Sequence, residues 1–124
     1  MTVVLDSAFL ADVRGGEPKA LALLSQLVVD RESALVPSVV AAEYLAGSRD
    51  AEADLAALEA ASVIQDFRLD DARAAAELAR RLFLRGKFPG WVDVVVGGFA
   101  KARGNLPIVT RNTRHFPQNR TRSY

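Results

Sequence analysis

The chain has no cysteine, so a disulfide framework and thiolate chemistry are both excluded. It has a single histidine and few aromatic residues. No apolar run reaches the roughly 18 residues that a membrane-spanning helix needs. The opening MTVVLDSAFLADV has no basic segment ahead of its apolar stretch and carries Asp6 early, so it does not read as a signal peptide. A cytoplasmic setting is the expectation. The chain also lacks a strong overall charge: its formal net charge is +1. Charge is nevertheless uneven, because RNTRHFPQNRTRSY at the end carries Arg111, Arg114, Arg120 and Arg122 and no acid. A local basic patch binds phosphate even when the total charge is near zero.

What the chain does have is a large apolar fraction. Half of its 124 residues are hydrophobic, enough for one domain with a real core and too little for two. A single domain over residues 1–124 is therefore expected. TVVL (2–5), SALVP (33–37), SVIQDF (62–67) and NLPIVT (105–110) read as short buried strands. Between them fall helical stretches. SAFLADVR is stopped by Gly15 and Gly16, and PKALALLSQLVV places Leu21, Leu24, Leu27 and Val28 on one face. SVVAAEYLAGS follows, capped by Ser38, and then the alanine-rich DAEADLAALEAA. A long helix opened by Asp70 or Asp71 runs over 72–86 to a stop at Gly86. After Phe116 the tail is polar and poorly patterned. Strands alternating with helices predict an α/β chain, a three-layer α/β/α sandwich with a mostly parallel central sheet. Such sheets bind their ligands beyond the C-terminal ends of the strands.

Three acids sit in apolar surroundings. Asp6 follows the first strand, Glu43 lies in VVAAEYLAG, and Asp93 lies in GWVDVVVGGFAKA. The other acids, among them Glu17, Glu52, Asp54, Glu59, Asp70, Asp71 and Glu77, fall in polar stretches or at helix starts, where solvent and capping account for them. Taken singly, each of the three has an ordinary explanation: a cap for Asp6, a helix edge for Glu43, a first-turn acid for Asp93. Converging, they would need a counter-charge. A hard divalent cation with oxygen ligands supplies one, and such an ion can activate water and neutralise charge on a phosphodiester.

Four blocks of the chain resemble the PIN-domain nucleases, and in particular the VapC-type toxins of toxin–antitoxin pairs. VVLDSAFLADVRGG resembles the opening strand and first acid of that family, and VPSVVAAEYLAGS its second block with the glutamate. GWVDVVVGGFAKARGNLPIVTRNTRHF resembles the third and fourth. The resemblance runs from residue 2 to about 116. It implies a PIN-like fold and metal-dependent hydrolysis of RNA phosphodiesters, with Asp6, Glu43 and Asp93 holding Mg²⁺ or Mn²⁺. It also implies a small antitoxin as partner, a homodimer, and a helix for the third block despite the β propensity of VDVVV. A nuclease of RNA processing without an antitoxin, or a non-catalytic module that binds RNA or protein, are the alternatives within the same resemblance.

The chain departs from the family at three points. Asn112 stands where a further acid is frequent, and it keeps a carbonyl oxygen for coordination but adds no charge. Trp91 occupies a place often taken by a second acid. His115 stands where Asp or His is usual, and a structural hydrogen bond or a surface position is expected for it. Ser7 and Thr110 resemble hydroxyl residues that orient a carboxylate. Arg14, Arg111 and Arg114 are candidate contacts to RNA phosphate. Phe9, Leu10, Leu23, Leu24, Leu45, Leu78 and Leu82 are expected to pack in the core or a dimer interface.

Overall fold

A computed structural model describes every residue from Met1 to Tyr124. Five strands, β1 (Thr2–Leu5), β2 (Ser33–Pro37), β3 (Val63–Gln65), β4 (Ile108–Val109) and β5 (Thr121–Arg122), form one sheet in the order β3-β2-β1-β4-β5. Every neighbouring pair is parallel, with Val3 opposite Ala34 and Val4 opposite Ile108. Successive side chains of a strand point to opposite faces. Val3, Val4 and Leu5 are nevertheless all buried, so helices cover the sheet on both sides.

Six helices flank the sheet: α1 (Ser7–Arg14), α2 (Pro18–Val29), α3 (Ser38–Ala46), α4 (Ala51–Ala61), α5 (Leu69–Leu84) and α6 (Trp91–Lys101). The valine-rich VDVVV is a helix, because Val96, Phe99 and Ala100 line a flank buried in the main core at helical spacing while Val94 packs on the other side against Ala75 and Leu78 of α5. Burial of that stripe outweighs the strand propensity of valine.

Several expectations need correction. The buried stripe of α2 is Ala20, Leu23 and Leu27, while Leu21 and Val28 face solvent. Leu24 and Leu45 are only half-buried, whereas Phe9, Leu10, Leu23, Leu78 and Leu82 are core residues. Ser38 does not cap α3; its hydroxyl accepts the N–H of Phe67 instead, tying α3 to the segment after β3. The long helix begins earlier, at Leu69, and Asp70 and Asp71 occupy its first turn. The arginine-rich tail is patterned after all, since β5 pairs with β4 and Arg122 bonds Glu32 at 2.6 Å.

Asp71 is not solvated. It is buried, and Arg103 grips it with two nitrogens, at 2.7 and 3.2 Å. The same guanidinium donates to Phe99 O and Gln65 Oε1 and lies 3.4 Å over the Phe99 ring. One arginine therefore fastens α5 to α6 and to the end of β3.

Candidate active site

All strands being parallel, their C-terminal ends share one edge. The chain runs from β1 outward through β2 to β3, then returns to the other side of β1 as β4. The crevice between β1 and β4 is thus the point where the winding reverses, which is where open parallel sheets bind ligands. Asp6 leaves β1 and Thr110 leaves β4 on either side of that crevice.

Asp6 is held on both oxygens. Its Oδ1 accepts the N–H of Ser7 at 2.9 Å, and its Oδ2 accepts the Thr110 hydroxyl at 2.8 Å. Thr110 Oγ1 in turn accepts the N–H of Asn112 at 3.0 Å. Asp6 therefore is the cap of α1, as a lone Asp after a strand would be, and also faces a cleft. Thr110 is fully buried beneath it.

The cleft, of about 370 Å³, is lined by Asp6, Ser7, Ala8, Ala11, Arg14, Glu43, Tyr44, Asp93, Arg111, Asn112 and His115. Glu43 comes from α3 and is exposed; Asp93 comes from the first turn of α6 and is half-buried. His115 stands on a three-residue turn of 3₁₀ helix, with Nδ1 3.0 Å from Asp93 Oδ2. Arg14 donates to Tyr44 O at 2.6 Å and lies near Asp54, and Arg111 pairs with Asp12. Both arginines reach the cleft walls while held by groups outside the acid cluster. Arg114 is exposed and does not line the cleft.

Burial raises the Asp6 carboxyl above the ordinary carboxylate range, against the opposing pull of Thr110, Ser7, His115 and Arg111. Asp93 is raised as well, first by burial and then by the charge of Asp6, with Glu43 adding a smaller push and His115 pulling the other way. Both carboxyls are thus held partly away from water, and Asp93 also faces the charge of Asp6. As the side chains stand, no three of the His, Asp and Glu residues are gathered tightly enough to hold a metal ion. In chemistry the set fits one: three carboxylates and an amide carbonyl are hard oxygen donors, the kind Mg²⁺ and Mn²⁺ take.

A second cavity of similar size lies among α1, α2 and α4, but Glu32 is its one acid and Arg122 already neutralises it. The chemistry therefore favours the polar cleft.

Three residues near the cleft escaped the sequence reading: Asp12, Tyr124 and Tyr44. Asp12 accepts from Arg111 and from the Tyr124 hydroxyl, the latter at 2.6 Å, and Tyr124 packs edge-on against Phe9. The available signal was a lone aromatic at the end of an otherwise polar tail. Tyr44 lies under the Arg14 guanidinium, 4.3 Å from ring centre to carbon.

No family model matches the chain. Over 117 residues it is 34% identical to Ribonuclease VapC19 of Mycobacterium tuberculosis, spanning 92% of this chain and 91% of that one. Among solved structures it is similar to VapBC2 from Rickettsia felis bound to a DNA fragment from their promoter. There the TM-score is 0.81 at 21% identity, covering 100% of this chain and 99% of that one. It is similar also to FitAB bound to the IR36 DNA fragment, with a TM-score of 0.83 at 17% identity over 99% and 94% of the two chains. DNA-bound VapBC from Salmonella typhimurium gives 0.79 at 21% over 99% and 98%.

Proposed function

This chain belongs to the VapC ribonuclease family, and we propose that it is the toxin of a toxin–antitoxin pair, an endoribonuclease that hydrolyses RNA phosphodiesters with Mg²⁺ or Mn²⁺ held by Asp6, Glu43 and Asp93. The observation that carries this reading is the convergence of three carboxylates, from the end of β1, α3 and α6, on one cleft at the switch point of the sheet. Burial raises Asp93 first and the charge of Asp6 adds to it, and a divalent cation would relieve that repulsion.

The chain's own residues have separable tasks. Ser7 N–H and the Thr110 hydroxyl fix the Asp6 carboxylate, and Asn112 offers its carbonyl oxygen beside it. His115 orients Asp93. Glu43, exposed on α3, lines the same cleft and would complete the set of acidic oxygens. Arg14 and Arg111 bring positive charge to the walls, where an RNA phosphate would lie. The bound ion would supply Lewis-acid polarisation and charge neutralisation at the phosphoryl group.

A small cognate antitoxin is the proposed protein partner, supported by the description of the similar structures as VapBC and FitAB assemblies. A homodimer is proposed on the family resemblance.

The test has two arms. Calorimetry with Mn²⁺ should show binding that Asp93→Asn removes, and RNA cleavage in Mg²⁺ should vanish in the same variant while its circular dichroism is unchanged. Cleavage by Asp93→Asn at the normal rate overturns the site. No Mn²⁺ binding by the unmodified protein would favour a non-catalytic module instead. Co-expression with an adjacent small gene should relieve growth arrest and co-purify a complex.

A further inference from the structure

Where α5 ends and α6 begins, three rings pack on one another. Phe83 and Phe88 stack with centroids 4.2 Å apart and planes 12° from parallel. Trp91 meets both edge-on, at 6.4 and 5.2 Å. Phe88 is half-buried against the core between α5 and α6, while Phe83 is 56% exposed and Trp91 58%. Aromatic surface left in water in one place marks a contact site. Its charge says of what kind. From Leu78 to Val92 the chain carries Arg80, Arg81, Arg85 and Lys87 and no acid, and all four are exposed. Only Arg81 has an acidic partner, Glu77.

We propose that Phe83, Phe88 and Trp91 form a base-stacking platform for single-stranded RNA, with Arg80, Arg85 and Lys87 as its unpaired cations, at the N-terminal end of the helix that carries Asp93 into the acid cleft. The inference rests on the ribonuclease reading of that cleft and extends it to a substrate-holding surface outside the reacting centre. Aromatic rings interleaved with cations are how proteins hold single strands without reading sequence, since every base has a face to stack and every linkage a charge. The platform is close to the chemistry. Trp91 is the first residue of α6 and Asp93, on the cleft, is the third. Two positions along a helix are about 200° apart around its axis. Trp91 therefore faces the other side of α6 from Asp93, and a strand leaving the cleft would round the N-terminal end of the helix to reach it.

A second copy of the chain is the competing occupant, and charge disfavours it. A two-fold contact places one patch against itself, which here would set the unpaired Arg80, Arg85 and Lys87 against their own copies.

Trp91 is the only tryptophan, so its fluorescence reports this surface alone. The probe is a short single-stranded oligoribonucleotide of mixed sequence, titrated in chelator so that it is bound without being cut. Quenching should saturate with binding, and Phe83→Ala and Phe88→Ala should each weaken it about tenfold, the loss expected for one stacked base. Trp91→Ala, followed by anisotropy of a labelled probe, should weaken binding similarly, and Trp91→Phe should restore most of it. Stacking releases no counter-ions, so Trp91→Ala should leave the log–log salt slope unchanged, whereas Arg85→Gln should lower it by about 0.7. Unchanged affinity in Trp91→Ala, in a protein that still cleaves RNA, overturns the platform and leaves the ribonuclease reading standing. Conversion of a dimer to a monomer by Trp91→Ala with RNA affinity per site unchanged also overturns it, in favour of the second copy. A parent protein that neither binds nor cuts RNA overturns both readings.

Discussion

The Thr110 hydroxyl donates to Asp6 Oδ2 at 2.8 Å, joining residues 104 positions apart across the crevice between β1 and β4. The carboxylate that follows the first strand is thereby aimed by the last motif of the chain. Thr110→Val keeps the shape and removes the donor. Loss of such a supporting bond costs about 10- to 100-fold in metal affinity or activity. Mn²⁺ calorimetry and RNA cleavage should both fall in that range, with Thr110→Ser close to the parent. Parent-like Mn²⁺ binding by Thr110→Val would mean that the hydroxyl is only a strand cap.

Asp93 is a carboxyl whose folded value is raised by burial and by Asp6. Such a group favours the folded state below its unfolded value and loses that contribution as pH rises through the folded one. At neutral pH in chelator its charge therefore works against folding. Asp93→Asn should stabilise the metal-free protein by about 0.5–1 kcal/mol, seen as a higher melting temperature, and should abolish any further rise on adding Mn²⁺. A lower melting temperature in chelator would show that the contact with His115 outweighs the repulsion.

Arg103 is the sole cation on buried Asp71. Arg103→Ala strands that charge and also loses the Phe99 and Gln65 contacts, so about 3–5 kcal/mol of stability should disappear in urea unfolding. Arg103→Lys should recover only part, because an ammonium does not make the two-pronged grip. A loss under about 1 kcal/mol for Arg103→Ala would mean that water reaches Asp71.

Gly98 allows α6 to lie against α5. A Cβ there would sit 2.6 Å from the backbone of Ala75, and backbone does not give way as a flexible side chain does. Gly98→Ala should destabilise by about 1–3 kcal/mol or more, against the usual benefit of Gly→Ala in a helix. Thermal unfolding decides the sign.

The Tyr124 hydroxyl, and after it Arg111, hold the Asp12 carboxyl below its ordinary value. A depressed carboxyl contributes stability above its unfolded value, near pH 4, and loses it as pH falls through the folded one. Tyr124→Phe should cost about 1–2 kcal/mol at neutral pH, and the gap to the parent should close as acid protonates Asp12. A gap that stays constant down to low pH would assign the cost to packing on Phe9.

By itself the sequence determined the order of the first four strands and the helices between them, the parallel sheet, and the three acids that have no apolar reason to be where they are. Those features are local: periodicity, caps and misfit residues are written within a few positions of one another. Residues 2–5, 18–29 and 33–37 are legible for that reason. Only the tertiary structure decided which partners these acids meet. Nothing local says that Thr110 bonds Asp6, that His115 bonds Asp93, or that Arg103 reaches Asp71 over 32 positions. It also decided that the glycines of α6 face α5 and the Asn119 side chain instead of the sheet. A strand of two residues such as β5 carries too little pattern to announce itself and exists because β4 presents an open edge. Long-range pairing depends on where the chain returns, and that is settled only when the core closes.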